Sequence, residues 1–502
     1  MRIHPLTSPT AAVLIALLSL LNGLSTAASE APEWPQFRGP NSSGVARGKE
    51  PPSIFGPGKN ELWTLPLESG HSSPCIAGDS LFLTTYDEES QQLEVVCIAR
   101  SLGNVRWRRA VPSQKIETGH PSFSPASSSP ATDGERVVAY FGSFGLICFD
   151  LEGNQLWEHP MPLTKSYAGN ATSPVIYDDL VVLYRGNRVD HFLLAVDKAT
   201  GKQRWRVEQG EHFTDEMACT ACPIRHDDQL LVHSARSVQA YNLLDGERLW
   251  VTKCATTATS TPILVGDEVL VAAWNKMGEP VLRPPFPNYD ELLRQHDTNG
   301  NRTISQNEFP RLWIFHRPLG AEAPQNGATV RFRRADRDGS GELTEPEWQR
   351  QLEELAQFRA RYKSHGLLAI NTQAKGIVHE DSLRTLATRG IPEVPSPISD
   401  GQLVYLIKNG GLLSGINLKT GKREYQIRTG ARGTHYASPI IAGDKLFATA
   451  GDGTITVISL GPKPQILARN KMGDAVYATP AVADGKLYVR THSSLSAFGE
   501  SE

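Results

Sequence analysis

The chain has 502 residues, of which 39% are hydrophobic and 21% charged, enough for a large core and unlike a disordered composition. A formal net charge of −3 gives no basic surplus, so nucleic acid is not an expected partner. Six cysteines in this length are too few for a disulfide scaffold.

At the N-terminus, Arg2 precedes the apolar run Ala11–Leu21, and Ser25-Thr-Ala-Ala28 supplies small residues. This pattern predicts a secretory signal peptide over residues 1–28, cut near Ala27 or Ala28. The run is short for a bilayer span of about 20 residues. No later segment is more apolar, so no stable membrane insertion is expected. The mature chain is expected outside the cytoplasm, periplasmic or secreted. Export permits disulfides, yet Cys75, Cys97 and Cys148 lie in apolar strand-like runs and read as buried thiols. Cys219-x-x-Cys222 is followed by Pro223 rather than His, which excludes covalent haem attachment. It leaves a small disulfide or two separate thiols open.

From Ser72 onward a unit recurs: a small residue or Cys, then Pro, a short apolar run, a turn with Asp, and a second apolar run. Its prolines are Pro74, Pro130, Pro174, Pro223, Pro262, Pro397, Pro439 and Pro480. The turns, such as Gly78-Asp79, Asp133-Gly134 and Asp484-Gly485, tolerate the positive φ of tight hairpins. The second half of most units places an aromatic residue four positions after a Gly: Gly103/Trp107, Gly153/Trp157, Gly201/Trp205, Gly246/Trp250 and Gly421/Tyr425. After Gly376 the fourth residue is Glu380, and the last unit ends without an outer strand. The N-terminal segment Asn60–Leu67, with Trp63, can supply that strand. Four strands per unit at about 40-residue spacing predicts an all-β fold, an eight-bladed β-propeller closed by strand exchange.

The segment Ala195-Val-Asp197-Lys-Ala-Thr200-Gly201-Lys202-Gln-Arg-Trp205 is a full tryptophan-docking pattern, and the other units carry partial versions. The chain thereby resembles the PQQ-like, quinoprotein-type propeller superfamily. That superfamily holds quinoprotein dehydrogenases and also non-enzymatic scaffolds, such as the propeller of the bacterial outer-membrane barrel-assembly machinery. Trp34–Ala46 is similar to the start of many secreted bacterial proteins of the non-enzymatic-looking group. The resemblance covers residues 34–278 and 364–499. It implies that the docking tryptophans are structural.

Pro262 and Pro397 are 135 residues apart, where other neighbouring pairs are 39 to 56 apart. Blade five opens normally up to Trp274, and its third strand is expected at His365–Asn371. The predicted organisation is therefore propeller over 29–278, an α-helical insertion over 279–363, and propeller again over 364–502. Inside the insertion lie two 12-residue calcium loops of EF-hand type, with ligands at positions 1, 3, 5, 7, 9 and 12. In the second these are Asp336, Asp338, Ser340, Glu342 through its carbonyl, Thr344 through water, and Glu347, with Gly341 at the sharp turn. In the first they are Asp297, Asn299, Asn301, Thr303, Ser305 and Glu308, but Arg302 replaces the glycine. Ile304 and Leu343 are positioned to join the loops by a short β contact. Ser305-x-x-Glu308 and Thr344-x-x-Glu347 read as capping boxes for exit helices. Pro310 should leave the first of those helices short or kinked. Three carboxylates against two predict that the second loop holds Ca2+ more tightly.

An insertion between the second and third strands projects over the face that carries the blade-to-blade connections, and is expected to form a helical cap over that mouth. Those connections contribute His120, Lys165, Tyr167, Glu211, His212, Asp215, Arg432, His435 and Tyr436 as candidate recognition residues for a protein or polysaccharide. The other reading is a PQQ-dependent dehydrogenase. Such enzymes pair the quinone with an adjacent Cys–Cys disulfide and an in-site calcium, and this chain has no Cys-Cys dipeptide. The residues favour a secreted calcium-binding scaffold over an enzyme, with no catalytic or PQQ-binding residue to name.

Overall fold

The computed structural model describes Met1 and residues 33–500, apart from 212, 214–217, 219, 255, 276, 318–325, 362, 363 and 432. The expected signal peptide lies outside the described residues, as do Cys219, His212, Asp215 and Arg432.

Alternating apolar residues and left-handed turns produce eight antiparallel blades around an axis. Blade one is typical, with strands Cys75–Ala77, Ser80–Asp87, Gln92–Ala99 and Val105–Ala110 running outward. The turn between its first two strands uses Gly78 at φ 54°, and Asp178, Asp227 and Asp484 take the same conformation in blades three, four and eight. Their short polar side chains tolerate it. Blade eight is completed by Glu61–Pro66, which pairs antiparallel with Ser494–Phe498. The ring is thus closed by joining the two ends of the chain, as the sequence predicts.

Two contacts set the blade-to-blade geometry. On the outside, Trp63, Trp107, Trp157 and Trp205 each cover the glycine of the following blade. The indole N–H donates to a turn carbonyl there: Trp63 to Arg100 at 2.9 Å, Trp107 to Leu151 at 2.8 Å, Trp157 to Lys198 at 2.8 Å, Trp205 to Leu243 at 3.0 Å and Trp250 to Thr372 at 3.2 Å. A register shift just before the tryptophan, as at Gln155/Trp157, aims the ring at its neighbour. The series stops at blade five, whose outer strand Arg384–Ala387 carries Leu386 instead. Gly376–Val378 does not extend that blade. It runs parallel to the outer strand of blade four, with Gly376 beside Trp250.

On the inside, the residue before each proline donates its N–H to the side chain of its counterpart in the next blade. Ser73 donates to Ser129 at 2.8 Å, Ser129 to Ser173 at 3.0 Å, Cys222 to Thr261 at 3.1 Å, and Thr261 to Ser396 at 2.9 Å. Ser396 then donates to Ser438, Ser438 to Thr479, and Thr479 back to Ser73, each at 3.0 Å. Between Ser173 and Cys222 the circuit meets its single sulfur, the Cys222 thiol standing where the other blades place a hydroxyl. Cys222, Cys75, Cys97, Cys148 and Cys254 are buried free thiols.

Residues 34–46 cross the far end of the channel. Trp34 exchanges backbone bonds with Ile76, and Thr132 donates to Pro35. Asn41 accepts from Tyr177 and Arg225, Arg38 donates to the Pro397 carbonyl at 2.8 Å, and Val45–Ala46 pairs parallel with Ile441–Ala442. This segment touches six innermost strands and plugs the ring.

The insertion joins strands Glu268–Ala273 and Gly366–Asn371 of blade five. It contains helices α1 (Tyr289–His296), α2 (Phe332–Ala335) and α3 (Glu345–Ala360). No helix follows the first loop. Glu308 makes its capping contacts to Ser305, but the chain then turns into a hairpin of Trp313–Arg317 and Asn326–Thr329. Pro310 removes the N–H a helix would need, and the β-prone run Trp-Ile-Phe takes over.

At Gly201, φ is 68° and an added Cβ would lie 2.6 Å from the Trp157 ring. Gly401 has φ 88° with nothing within 4 Å. Gly201→Ala is therefore expected to cost roughly 1–3 kcal/mol more than Gly401→Ala, because only the former must displace a packed ring. Urea unfolding of both variants checks this.

Candidate functional site

The plug closes one end of the channel and leaves a cup of about 680 Å³. Phe37, from the plug, lies at its closed end, and Ser73, Ser129, Ser396, Ser438 and Thr479 line its wall. The rim is aromatic. Tyr477 contacts His71 with ring centroids 4.8 Å apart and Tyr436 at 5.7 Å. His120 meets Tyr167 edge-on at 5.6 Å, and Phe123 and Trp274 complete the rim. Burial, together with the nearby Arg490 guanidinium, pushes the His71 imidazole down to about 4, so it is neutral at ordinary pH. Glu393 is the sole carboxylate among the described lining residues, which include no Lys or Arg.

The loops that carry this rim are anchored from below. Glu117, on the connection into blade two, is buried and accepts a hydrogen bond from the Thr164 hydroxyl on the next connection. Desolvation pushes its carboxyl up to about 8. Its Oε1 has no hydrogen-bond partner that would stabilise the ionised form. A raised carboxyl pKa means that the folded state holds a proton the unfolded state releases near its ordinary 4.5. That contribution is present at low pH and lost as pH rises towards 8. Glu117→Gln should therefore lose less stability than wild type between pH 5 and pH 8. Thermal unfolding of the pair across that range measures the difference.

Of the connection residues singled out from sequence, His120, Tyr167 and Tyr436 line the cup. Lys165 does not. Glu211 is a structural acceptor within blade four, bound by the Ser234 and Ser237 hydroxyls and the Arg236 N–H. His435 is buried beneath the rim, with its N–H on Asn409 at 2.7 Å. His71, Phe123, Trp274, Tyr477 and the hydroxyl ring were not singled out. Their signal is present, since the residue before every repeat proline is Ser, Thr or Cys, but spacing does not say that those side chains meet at an axis.

No described residue of the insertion lines the cup, contrary to the expected cap over the mouth. The C-terminal end of α3, with Phe358 and Arg361, instead lines a separate cleft of about 860 Å³ against Gln239, Arg248 and Lys253 of blade four. The helix leans there because Phe358 packs with Phe315 and Met277 at the base of the insertion.

The two acidic loops lie side by side, joined through Ile304 and Leu343. Tyr289 donates to carbonyls of both, Arg302 at 3.1 Å and Leu343 at 2.9 Å. In the second loop, carboxylate oxygens of Asp336, Asp338 and Glu347 lie within 4.8 Å of one another. Asp336 accepts the N–H groups of Gly339 and Gly341, each at 3.0 Å, and Ser340 donates to Asp338 and to the Glu342 carbonyl. In the first loop, Asp297 accepts from Gly300 and Arg302, Asn299 from Asn301, and Asn301 from Thr303. Arg302 adopts φ 65°, the conformation reserved for glycine, at a cost of about 1–2 kcal/mol. The Thr303 hydroxyl bonds the Glu342 carboxylate across the pair at 2.6 Å. Hydrogen bonds from Ser305 and Thr298 hold the Glu308 carboxyl down to about 2, so it stays ionised.

The sequence model of the outer membrane protein assembly factor BamB family matches residues 55–283 and 358–500. The chain belongs to that family. The unmatched stretch, 284–357, falls inside the insertion. No curated protein sequence matches the chain. Among solved structures, BamB from Moraxella catarrhalis is similar with a TM-score of 0.52 at 12% identity, over 88% of this chain and 97% of that one. Quinohemoprotein alcohol dehydrogenase from Comamonas testosteroni gives 0.53 at 12% identity, over 95% and 82%. The computationally designed Ika8 protein gives 0.52 at 10%, over 88% and 99%. At these identities the likeness is one of fold. Family membership places the chain among PQQ-like propellers, and no described helix is long and apolar enough to cross a membrane.

Proposed function

We propose that the protein is an extracytoplasmic calcium-binding propeller that acts as a binding scaffold for a protein or polysaccharide. The observation that carries the scaffold reading is the cup itself, ringed by aromatic side chains, whose described lining residues bring together one imidazole–hydroxyl pair, His120 with Ser122 at 2.8 Å, within a single tight turn. Concave, largely apolar sites with a few polar groups suit recognition. The name of the matched family agrees with this reading, since BamB is an assembly factor. The signal sequence over residues 1–28 supplies the route out of the cytoplasm.

A quinoprotein reading fits the residues poorly. PQQ carries three carboxylates, and the described cup residues supply no cation for them. The buried guanidinium of Arg490, the closest in kind, is committed to the Ser72 hydroxyl and to backbone carbonyls. No adjacent cysteine pair exists in the chain. Adding PQQ and Ca2+ to the protein should give no bound-quinone absorbance and no dye reduction with alcohols or sugars. Stoichiometric quinone would contradict the scaffold reading.

Calcium suits the insertion because its donors are hard oxygens: carboxylates, amides, hydroxyls and carbonyls. Asp336, Asp338, Ser340, Glu342 and Glu347 would hold one ion, and Asp297, Asn299, Asn301, Thr303 and Glu308 a second, weaker one. Bound ions would fix the loops at the start of α3, and so the whole insertion 279–363, as a rigid appendage beside blade four. Calorimetry should show most of the high-affinity heat lost in Asp336→Ala and less in Asp297→Ala. Equal loss, or greater loss in Asp297→Ala, would refute the ordering. Absence of heat from wild type would refute the calcium reading itself.

A further inference from the structure

We infer that the cup binds the free end of an uncharged sugar chain. This assignment rests on the scaffold reading and narrows its ligand. Four features carry it. The first is charge: with no described Lys or Arg and one carboxylate, Glu393, in the lining, neither an anionic nor a strongly cationic ligand is matched. The second is the polarity of the wall. The hydroxyl oxygens of Ser73, Ser129, Ser396, Ser438 and Thr479 each accept one N–H from a neighbouring blade. No described group accepts their protons, and although each residue is only 2% exposed all five border the cavity, so each hydroxyl keeps an O–H donor and a spare lone pair there. The hydroxyl and ring oxygens of a sugar are acceptors in the same density.

The third feature is the rim. A pyranose has faces of C–H groups edged by hydroxyls, and these match aromatic faces and hydroxyl groups together. Tyr436, Tyr477 and His71 form one contiguous aromatic surface, and His120 with Tyr167 another. Tyrosine pairs an apolar face with a polar tip, and that combination suits such a ligand. The fourth is the floor. Phe37 and the plug block passage through the ring, so a linear chain can enter only by its terminus. A mid-chain segment has no way through, and a cyclic oligosaccharide has no end to insert. The deep hydroxyls would then be reached by the terminal residue while the following units stack on the rim.

The test uses the full mature protein with calcium present. Linear hexasaccharides of glucose, mannose and N-acetylglucosamine are titrated by calorimetry, alongside α-cyclodextrin, tetra-alanine and PQQ. The expected result is saturable binding of at least one linear sugar, with no binding of the cyclic one. Tyr477→Ala should weaken that binding by about tenfold, and Tyr477→Phe should retain it, because the stacking ring remains. Lys419→Ala, at an exposed turn outside the lining, should leave it unchanged. No binding of any linear sugar overturns the assignment. Equal binding of linear and cyclic sugars overturns the closed-end geometry. Binding of tetra-alanine alone removes the sugar assignment while sparing the scaffold reading, and stoichiometric PQQ removes both. If Tyr477→Ala does not fold, Tyr436→Ala, on the same aromatic surface, gives the same readout.

Discussion

The circuit of hydrogen bonds at the axis is the interaction on which the rest of the structure depends. In each blade the residue before a proline is restricted to extended backbone. That geometry turns its N–H away from its own sheet and towards the next blade, where a serine, threonine or cysteine side chain receives it. A bond of this kind contributes roughly 0.5–1.5 kcal/mol, but leaving a buried N–H unmet would cost more. Each blade is therefore obliged to have a partner on both sides, and the requirement is satisfied everywhere only when the circle closes. Thr479 donating to Ser73, 406 residues apart, is the closing link. Only small side chains fit where eight strands converge, which is why Cys222 can stand in for a hydroxyl. Burial pushes its thiol up, so it serves the ring as a neutral group.

The same ring gives the molecule an inside and an outside face. Its hydroxyls form the wall of the cup, and the N-terminal segment covers the opposite end. That segment brings a buried cation, Arg38, whose guanidinium is pushed down to about 9 by desolvation. It is held by the carbonyls of Ser43 and Pro397 rather than by a carboxylate. A few residues further on, the chain becomes the outer strand of blade eight. One stretch of sequence thus both plugs the channel and removes the free edges that an open array of blades would expose. The insertion adds to one side without disturbing any of this, because it lengthens only a loop in blade five.

Much of this was legible in the sequence. Hairpin periodicity, the Asp- and Gly-containing turns, the borrowed strand at Trp63 and the position of the insertion are all local patterns, and local patterns are what a single sequence records. The two acidic loops were legible for the same reason, down to the odd residue Arg302, which adopts the strained turn its position demands. The exit helix after Glu308 was overestimated: its capping residues are real, but Pro310 and the β-prone run beyond it decide the outcome. The docking tryptophans read as structural, and they are: Trp157 covers Gly201 and Trp205 covers Gly246 in the next blade. The cup was half-visible. His120, Tyr167 and Tyr436 sit on connections that could be assigned to one face, but His71 and Tyr477 come together only after the chain closes on itself. Glu211 looked like a recognition residue because exposed loops favour charged side chains, yet it is spent on hydrogen bonds within blade four.

Native-state hydrogen exchange at the ring tests the central claim most directly. Amides that complete a closed circuit cannot open one at a time without breaking the propeller, so the N–H groups of Ser73, Ser129, Thr261, Ser396, Ser438 and Thr479 should exchange only through global unfolding. Their protection should match that of the most protected blade strands and fall in step with denaturant. Exchange of the Thr479 or Ser73 amide through a low-energy local opening, with the strands still protected, would contradict the account.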